Sequence, residues 1–406
     1  MGAEEPRTIG QRLREVRNWR DKSLRVIAGL AGISESYLSR LERGERQVDS
    51  RSLLEALAAA LEVAPGDLTG AHELPAAEGM GEAHAAVVAL RVALADNALD
   101  DPAGDSGRPW PELVAVLDRV NSELRPAADY AGMGLVLPDL ITDLHAVAAS
   151  HGAHRREALG GLLDVYTAAT FTVKHLGEPD LATVAAMHAR AVAAELGSPA
   201  HTALAEYLRA HAVSSPARAR SMVLAATAAD RVAPWIGTDR GAAEMYGMLR
   251  LTCALNAAAL GRPGESAEHQ AEAAEVAARV GAGTDFGHQC FGVTNVGFWG
   301  ITLAVERGEG AKVRELAREI GPGTVMSASR RAGFYSDLGR GLATERAHWP
   351  QAVAALRTAE RLAPQRFRAN PFVREVVIDL RRRTRGNTAL GRELRGMAHR
   401  MGLAAG

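Results

Sequence analysis

The sequence predicts an all-α protein, and three observations carry that expectation. Alanine is abundant while aromatic residues make up only 4% of the 406 residues; alanine favours the helix and lets helices approach closely. Apolar residues recur at helical spacing along most of the chain. Glycines, prolines and capping hydroxyl residues punctuate these stretches at short intervals. A chain of this length exceeds one compact core, so it divides into domains or a repeat array.

The first seventy residues break into short helical units. Thr8 can cap a first helix whose apolar positions Ile9, Leu13, Val16 and Trp19 keep helical spacing. Ser23 can cap a second, with Leu24, Ile27, Ala28 and Leu30 inward. Gly32 permits a sharp bend. Ser34 then caps a third helix, whose buried stripe is Ile33, Tyr37, Leu38 and Leu41 and which stops near Gly44. Ser50 opens a fourth with Leu53, Leu54, Leu57 and Leu61 on one face, and Val63, Pro65 and Leu68 mark a last short turn.

Two short helices joined by a glycine-containing turn form the helix-turn-helix pattern, whose second helix protrudes into a DNA major groove. The outward positions of that helix are Glu35, Ser36, Ser39, Arg40 and Arg43. The net charge of the chain is −1, so nothing attracts the whole molecule to nucleic acid. Thr8 to Arg46 nevertheless holds nine basic and five acidic residues, a local +4. Periodicity alone leaves two readings open, a DNA reader or a solvated amphipathic helix followed by a basic loop.

The run "LRVIAGLAGISESYLSRLERGER", followed by "LLEALAAALEVAPGDL", closely resembles the Xre-type (Cro and repressor-like) helix-turn-helix domain. The matching elements are the Ser23 to Ser34 run, then Tyr37-Leu38-Ser39-Arg40-Leu41-Glu42-Arg43-Gly44. The resemblance implies a five-helix domain binding double-stranded DNA, with Glu35, Ser36, Ser39 and Arg40 at base-reading positions. It places Ser23, Arg25, Ser34, Arg43 and Arg46 near phosphates. The glutamine that often opens the second helix of such domains is Leu24 here, which removes one phosphate-bridging contact. Glu35 reads a base only by accepting from a cytosine amine; otherwise it serves the helix dipole.

Residues 1–70 are therefore expected to form the helix-turn-helix domain, and residues 71–109 a linker with one helix. That helix, from about Glu82 to Ala98, has Val87, Val88, Leu90, Val92 and Leu94 as its apolar content. Residues 110–406 alternate helices of about 13 to 20 residues with short turns. The segment Gly333 to Pro364 spans 32 residues, with Ala352, Leu356, Ala359 and Pro364 resembling the second-helix positions of the tetratricopeptide (TPR) repeat. Irregular turn spacing and a weak first-helix signature point to a degenerate TPR-like α-solenoid of about six helix pairs, with a generic α-bundle as the alternative.

Within the array, "FGHQCFGVTNVGFWG" gathers aromatic and amide side chains in an otherwise alanine-rich region. Asn295 is the first expectation for effector contact, then Thr294, His288 and Trp299, provided that the helix faces a groove. The other reading is a core seam of satisfied polar groups.

The remaining signals are weaker. Cys253 and Cys290 read as buried reduced thiols. His145, His151 and His154 lack metal-ligand spacing and read as solvated helix-end residues, so no metal or cofactor is expected. The basic run Leu380 to Leu394 reads as a solvated turn or as a contact to DNA or acidic surfaces. No Walker loop, dinucleotide fingerprint, nucleophile elbow or metalloprotease motif is present, so no enzyme is expected. The start "MGAEEPRTIG" lacks an apolar signal core, and no run of about 18 apolar residues occurs, so a cytoplasmic protein without membrane contact is expected. The layout resembles regulators, common in actinobacteria, that join an Xre-type domain to a long TPR-like region. In architecture it is also similar to peptide-responsive quorum-sensing regulators. That likeness implies a homodimer on a palindromic operator and a peptide or small-molecule effector. The alternative is a TPR-type protein–protein interaction scaffold with a weak DNA-binding head.

Overall fold

The computed structural model describes residues 7–70, 77–99, 101–105, 107–213, 217–281, 284–384 and 388–403. Parts of the expected linker (71–76) and of the basic run (385–387) lie outside the described residues. The fold is all-α: among the described residues there is no strand, only an isolated bridge between Ala98 and Asp101.

In chain order the helices are α1 (Ile9–Trp19), α2 (Leu24–Leu30), α3 (Glu35–Glu42), α4 (Arg51–Leu61), α5 (Pro65–Thr69), α6 (Met80–Asp96) and α7 (Trp110–Arg119). A π-helical turn, Val120–Leu124, leads into α8 (Arg125–Ala127). Then follow α9 (Tyr130–Ala149), α10 (Arg155–His175), α11 (Pro179–Leu196), α12 (Pro199–Ala212), α13 (Arg218–Val232), α14 (Arg240–Ala259), α15 (Pro263–Val280) and α16 (Val293–Glu306). The last are α17 (Val313–Leu316), α18 (Ala328–Ala343), α19 (Trp349–Leu362), α20 (Pro364–Ala369), α21 (Pro371–Arg383) and α22 (Ala389–Arg400).

These helices form two compact units whose limits differ from the expected 1–70, 71–109 and 110–406. The first joins Met1–Gly81 to Ile301–Glu319 and Ala332–Gly406; the second is Glu82–Gly300 with Ile320–Arg331.

In the first unit the four anticipated caps form. The side chains of Thr8, Ser23, Ser34 and Ser50 accept from the backbone N–H groups of Gln11, Val26, Tyr37 and Leu53. Gly32 and Gly44 take the left-handed φ values +68° and +71° that end α2 and α3 cheaply. Gly10 lets α1 lie against α3, since a Cβ there would meet the Leu41 carbonyl oxygen at 1.9 Å. The core is Ile9, Leu13, Ile27, Leu38, Leu41, Leu54, Leu57, Leu61 and Leu68, joined by Phe372 from α21. Leu30, expected inward, is corrected: it is 67% exposed, and Trp19, which keeps the helical spacing of α1, is 78% exposed. Each is the last residue of its helix, and Ala31 packs on the core beside Leu30 instead.

The segment read as a TPR-like pair becomes α18 and α19. Ala352, Leu356 and Ala359 are fully buried. A Cβ on Gly339 would lie 2.7 Å from Leu356 Cγ, so the two helices approach at backbone distance. Pro364 ends the pair by starting α20.

In the second unit each helix from α9 to α15 packs on the next, and α12 also packs on α10 and on α14. Small residues set the spacing: a Cβ on Gly134 would meet Ala86 Cβ at 1.8 Å. Of the apolar content of α6, Val87, Leu90 and Leu94 are buried, whereas Val88 and Val92 are 65% and 55% exposed. By length and hydropathy α9 could cross a bilayer; half of it is buried, including Leu137, Leu140, Ile141 and Leu144, as befits a core helix.

Candidate nucleic-acid interface

The four base-reading candidates share the uncovered side of α3, opposite buried Leu38, Leu41 and Glu42. Glu35 and Ser36 are exposed, and Ser39 and Arg40 half-buried. The Arg40 guanidinium rests over the Tyr37 ring, 5.8 Å from its centroid. Such stacking presents the charge at lower conformational cost. The Ser34 hydroxyl caps the helix at 3.2 Å and lies 3.2 Å from that of Ser36. Ser23, Arg25, Arg43 and Arg46 are exposed.

Two of these candidates hold each other. Arg43 donates from Nη1 to Ser39 Oγ at 2.5 Å and from Nε to Glu45 Oε1 at 2.6 Å. The Arg43 hydrogen bond holds the exposed Glu45 carboxyl below its ordinary range. DNA contact by Arg43 or Ser39 therefore requires exchange of these surface bonds, which solvent makes weak.

Arg17, although part of the local positive charge, faces inward. It grips buried Glu42 with Nε at 2.6 Å and Nη2 at 2.8 Å, and donates from Nη1 to the Lys22 carbonyl at 2.9 Å. A two-pronged pair of this kind fixes α3 against α1. Leu24 packs on the head core, as its apolar side chain requires.

Sequence reasoning missed how the distant C-terminal helices support this head. The first N–H of α1, on Ile9, donates to Glu375 Oε1 of α21 at 2.8 Å. The first N–H of α4, on Arg51, donates to Glu306 Oε2 at 2.9 Å. Both glutamates are buried. Each satisfies an otherwise unpaired amide and sits at the positive end of a helix dipole. Glu306 also accepts from Arg51 Nη1 at 2.5 Å and Arg340 Nη2 at 3.2 Å. Arg340 further donates to the Asp49 carbonyl and to Asp337, both at 2.7 Å. The Arg51 and Arg340 guanidinium carbons lie 5.4 and 4.7 Å from the Phe372 ring centroid. No local pattern announces partners some 300 residues apart.

The effector candidates lie in the second unit, where the structure builds a core seam. Asn295 is 1% exposed. Its Nδ2 donates to the Gln289 carbonyl at 3.0 Å and its Oδ1 accepts from Arg330 at 2.5 Å. Each end of the amide thus bonds within the protein, and the side chain is buried. Trp299 is buried, with Arg330 5.6 Å from its ring centroid. Thr294 Oγ1 lies 3.0 Å from Thr324 Oγ1. His288 is half-buried with Nε2 3.5 Å from Asp164 Oδ2.

Around His288 is a cluster that the sequence did not single out. Asp285, His288 and Cys290 all take left-handed φ values near +55°, a costly backbone for residues with a Cβ. Asn121, on the π-helical turn, donates to Asp164 at 3.0 Å. Neighbouring Arg125 keeps both terminal nitrogens buried without a hydrogen-bond partner, and burial pushes its pKa down to about 10.

Among the described residues no three His, Cys, Asp or Glu side chains form a group that could hold a metal. His145, read as a solvated helix-end residue, is instead buried with Nε2 2.5 Å from Tyr166 Oη, and burial pushes its pKa down to about 4. His154 stacks on Trp110 at 4.8 Å between ring centroids. Cys253 and Cys290 are free thiols, the first buried and the second half-buried.

A capped α3 that follows α2 across the Gly32 turn and buries one face on the head core defines a helix-turn-helix head. Residues 8–71 match the family described as helix-turn-helix domain. No curated protein and no solved structure matches the chain. The N-terminal helix-turn-helix domain supports a DNA-binding regulator.

Proposed function

We propose that the protein is an Xre-type, sequence-specific transcription regulator that reads a palindromic operator with α3. The carrying observation is the uncovered face of α3, where Glu35, Ser36, Ser39 and Arg40 stand together over a core fixed by Arg17–Glu42. Arg40 is the principal base reader, because a stacked guanidinium can address a guanine edge with two hydrogen bonds. Ser23, Arg25, Ser34, Arg43 and Arg46 would meet the phosphates on either side.

The consecutive packing of α9 to α15 supports a TPR-like array as the effector-sensing part. Since Asn295 bonds internally, Arg125, whose buried terminal nitrogens lack hydrogen-bond partners near Asp164 and Asp285, is the better place to look for a peptide or small-molecule contact. Val88 and Val92, exposed one turn apart on α6, support a homodimer. Two heads would then address half-sites about 34–36 Å apart. We place the protein in the cytoplasm and assign it no enzymatic activity or cofactor.

Selection of bound duplexes from a random pool tests this reading. The wild type should enrich a palindrome, and Arg40→Ala should lose about 1–3 kcal/mol of discrimination at one base position while melting normally. Unchanged enrichment by that variant would refute the assignment of Arg40. A TPR-type scaffold with a weak head is the second reading, favoured by Leu24 and by the engagement of Arg43 with Glu45. It would show as no enriched sequence at all, together with a stable protein partner.

A further inference from the structure

The basic end of α21 lies beside the turn that follows α3, within the same compact unit. Arg383 donates from Nη2 to the Glu45 carbonyl at 3.0 Å, and its Nε lies 2.8 Å from Asp379 Oδ1. Arg382 reaches over Gly44, where an added Cβ would lie 3.3 Å from its Nη1, and its Nη2 is 3.5 Å from Gln11 Oε1. Both arginines are exposed, like Arg43 and Arg46. The acids at hand are already matched, Glu45 with Arg43 and Asp379 with Arg383. Arg46 lies within reach of the charge of Asp49, and Arg382 of Glu375 and Asp379, yet both guanidinium groups stay exposed, so the edge presents four arginines to solvent.

We propose that Arg382 and Arg383 bind DNA phosphates, so that the C-terminal helix α21 extends the backbone-gripping surface of the N-terminal head. The inference rests on the DNA-binding reading of α3 and deepens it. In a helix-turn-helix complex the N-terminal part of the recognition helix meets the bases. The turn after α3, at the other end of that helix, is placed to run beside the phosphates. An arginine fork suits a phosphate there, and its contribution is independent of sequence. The geometry also explains why α21 touches the head at that turn as well as through Glu375 and Phe372. One rigid helix would then both brace α1 and hold the duplex against α3.

The test measures affinity of the full chain for a labelled duplex of random sequence across a salt series. Each phosphate contact contributes about 0.9 to the slope of log affinity against log salt. The double variant Arg382→Ala with Arg383→Ala should flatten that slope by about 1.8 and weaken operator and random DNA by the same factor. The double lysine variant should keep most of the slope, which a purely structural role for the guanidinium groups would not predict. Arg381→Ala is the control. It removes the same charge from the same turn, but Arg381 donates to the Leu403 carbonyl at 3.0 Å and should leave the slope unchanged. A wild-type slope retained in the double alanine variant overturns the inference while leaving the reading of α3 intact. If the wild type binds no duplex at any salt, the DNA-binding reading itself falls, and this inference with it.

Discussion

Glu375 is the residue on which the docking of the head is most exposed to pH. It is buried, accepts the first N–H of α1, and burial pushes its pKa up to about 7. The Ile9 hydrogen bond and the charges of Arg12 and Arg382 pull the other way, while Asp379 adds to the rise. In the unfolded chain the group titrates near its ordinary 4.5. Between these values the folded state keeps a proton that the unfolded state has lost, so stability falls as pH rises from about 4.5 to about 7 and then levels off. Glu375→Gln keeps an oxygen for the Ile9 N–H and has nothing to ionise. It should stabilise the first unit above neutral pH by about 3 kcal/mol and make no difference near pH 4. Urea unfolding of both proteins across that range is the measurement. A difference that does not change with pH would show that Glu375 is ionised throughout or does not titrate in the folded state.

At the scale of elements, α3 is held by devices of two kinds, and only one kind could be read in advance. Thr8, Ser23, Ser34 and Ser50 cap their helices as expected, because a cap needs only a hydroxyl and the N–H two or three residues on. The positive φ of Gly32 and Gly44 was legible for the same local reason. Periodicity went one residue too far at Trp19 and Leu30, since it reports a helical face and not where the core ends. The pair Arg17–Glu42 was hidden inside a count of basic residues, and Asn295 looked like a ligand contact until Gln289 and Arg330 were seen to use both ends of its amide. Side-chain chemistry was legible in each case, but the choice between inward and outward use is made by tertiary packing. The buried pair gives a direct test. Arg17→Ala strands the Glu42 carboxylate and should cost about 3 kcal/mol, whereas Arg17→Met with Glu42→Leu should recover most of that loss. Chemical denaturation of the three proteins decides it, and equal losses in the single and double variants would mean that the hydrogen bonds of the Arg17 guanidinium, including that to the Lys22 carbonyl, and not the stranded Glu42 charge, fix α3.

At the scale of the molecule, the first compact unit is assembled from segments at both ends of the chain. Phe372 belongs to the head's own core, Glu375 and Glu306 close the amino ends of α1 and α4, and Arg340 binds both Glu306 and the Asp49 carbonyl. None of this was legible, because the sequence divides the chain by linkers and composition and cannot show which buried surface a late helix completes. A head sharing its core with α21 should unfold with α21. Phe372→Ala removes a nearly buried ring from that shared core and should cost about 3–5 kcal/mol. Hydrogen exchange under native conditions separates the possibilities, since amides that open in one cooperative event lose protection by one common factor. The amides of Leu13 in α1, Leu41 in α3 and Leu57 in α4 should then exchange faster by the same factor as Ile378 in α21. If Ile378 alone accelerates while the three head amides keep their protection, α1 to α5 fold without α21 and the shared core is only a contact. If all four accelerate together, the smallest piece of this protein in which α3 is held for DNA includes its C-terminal helices.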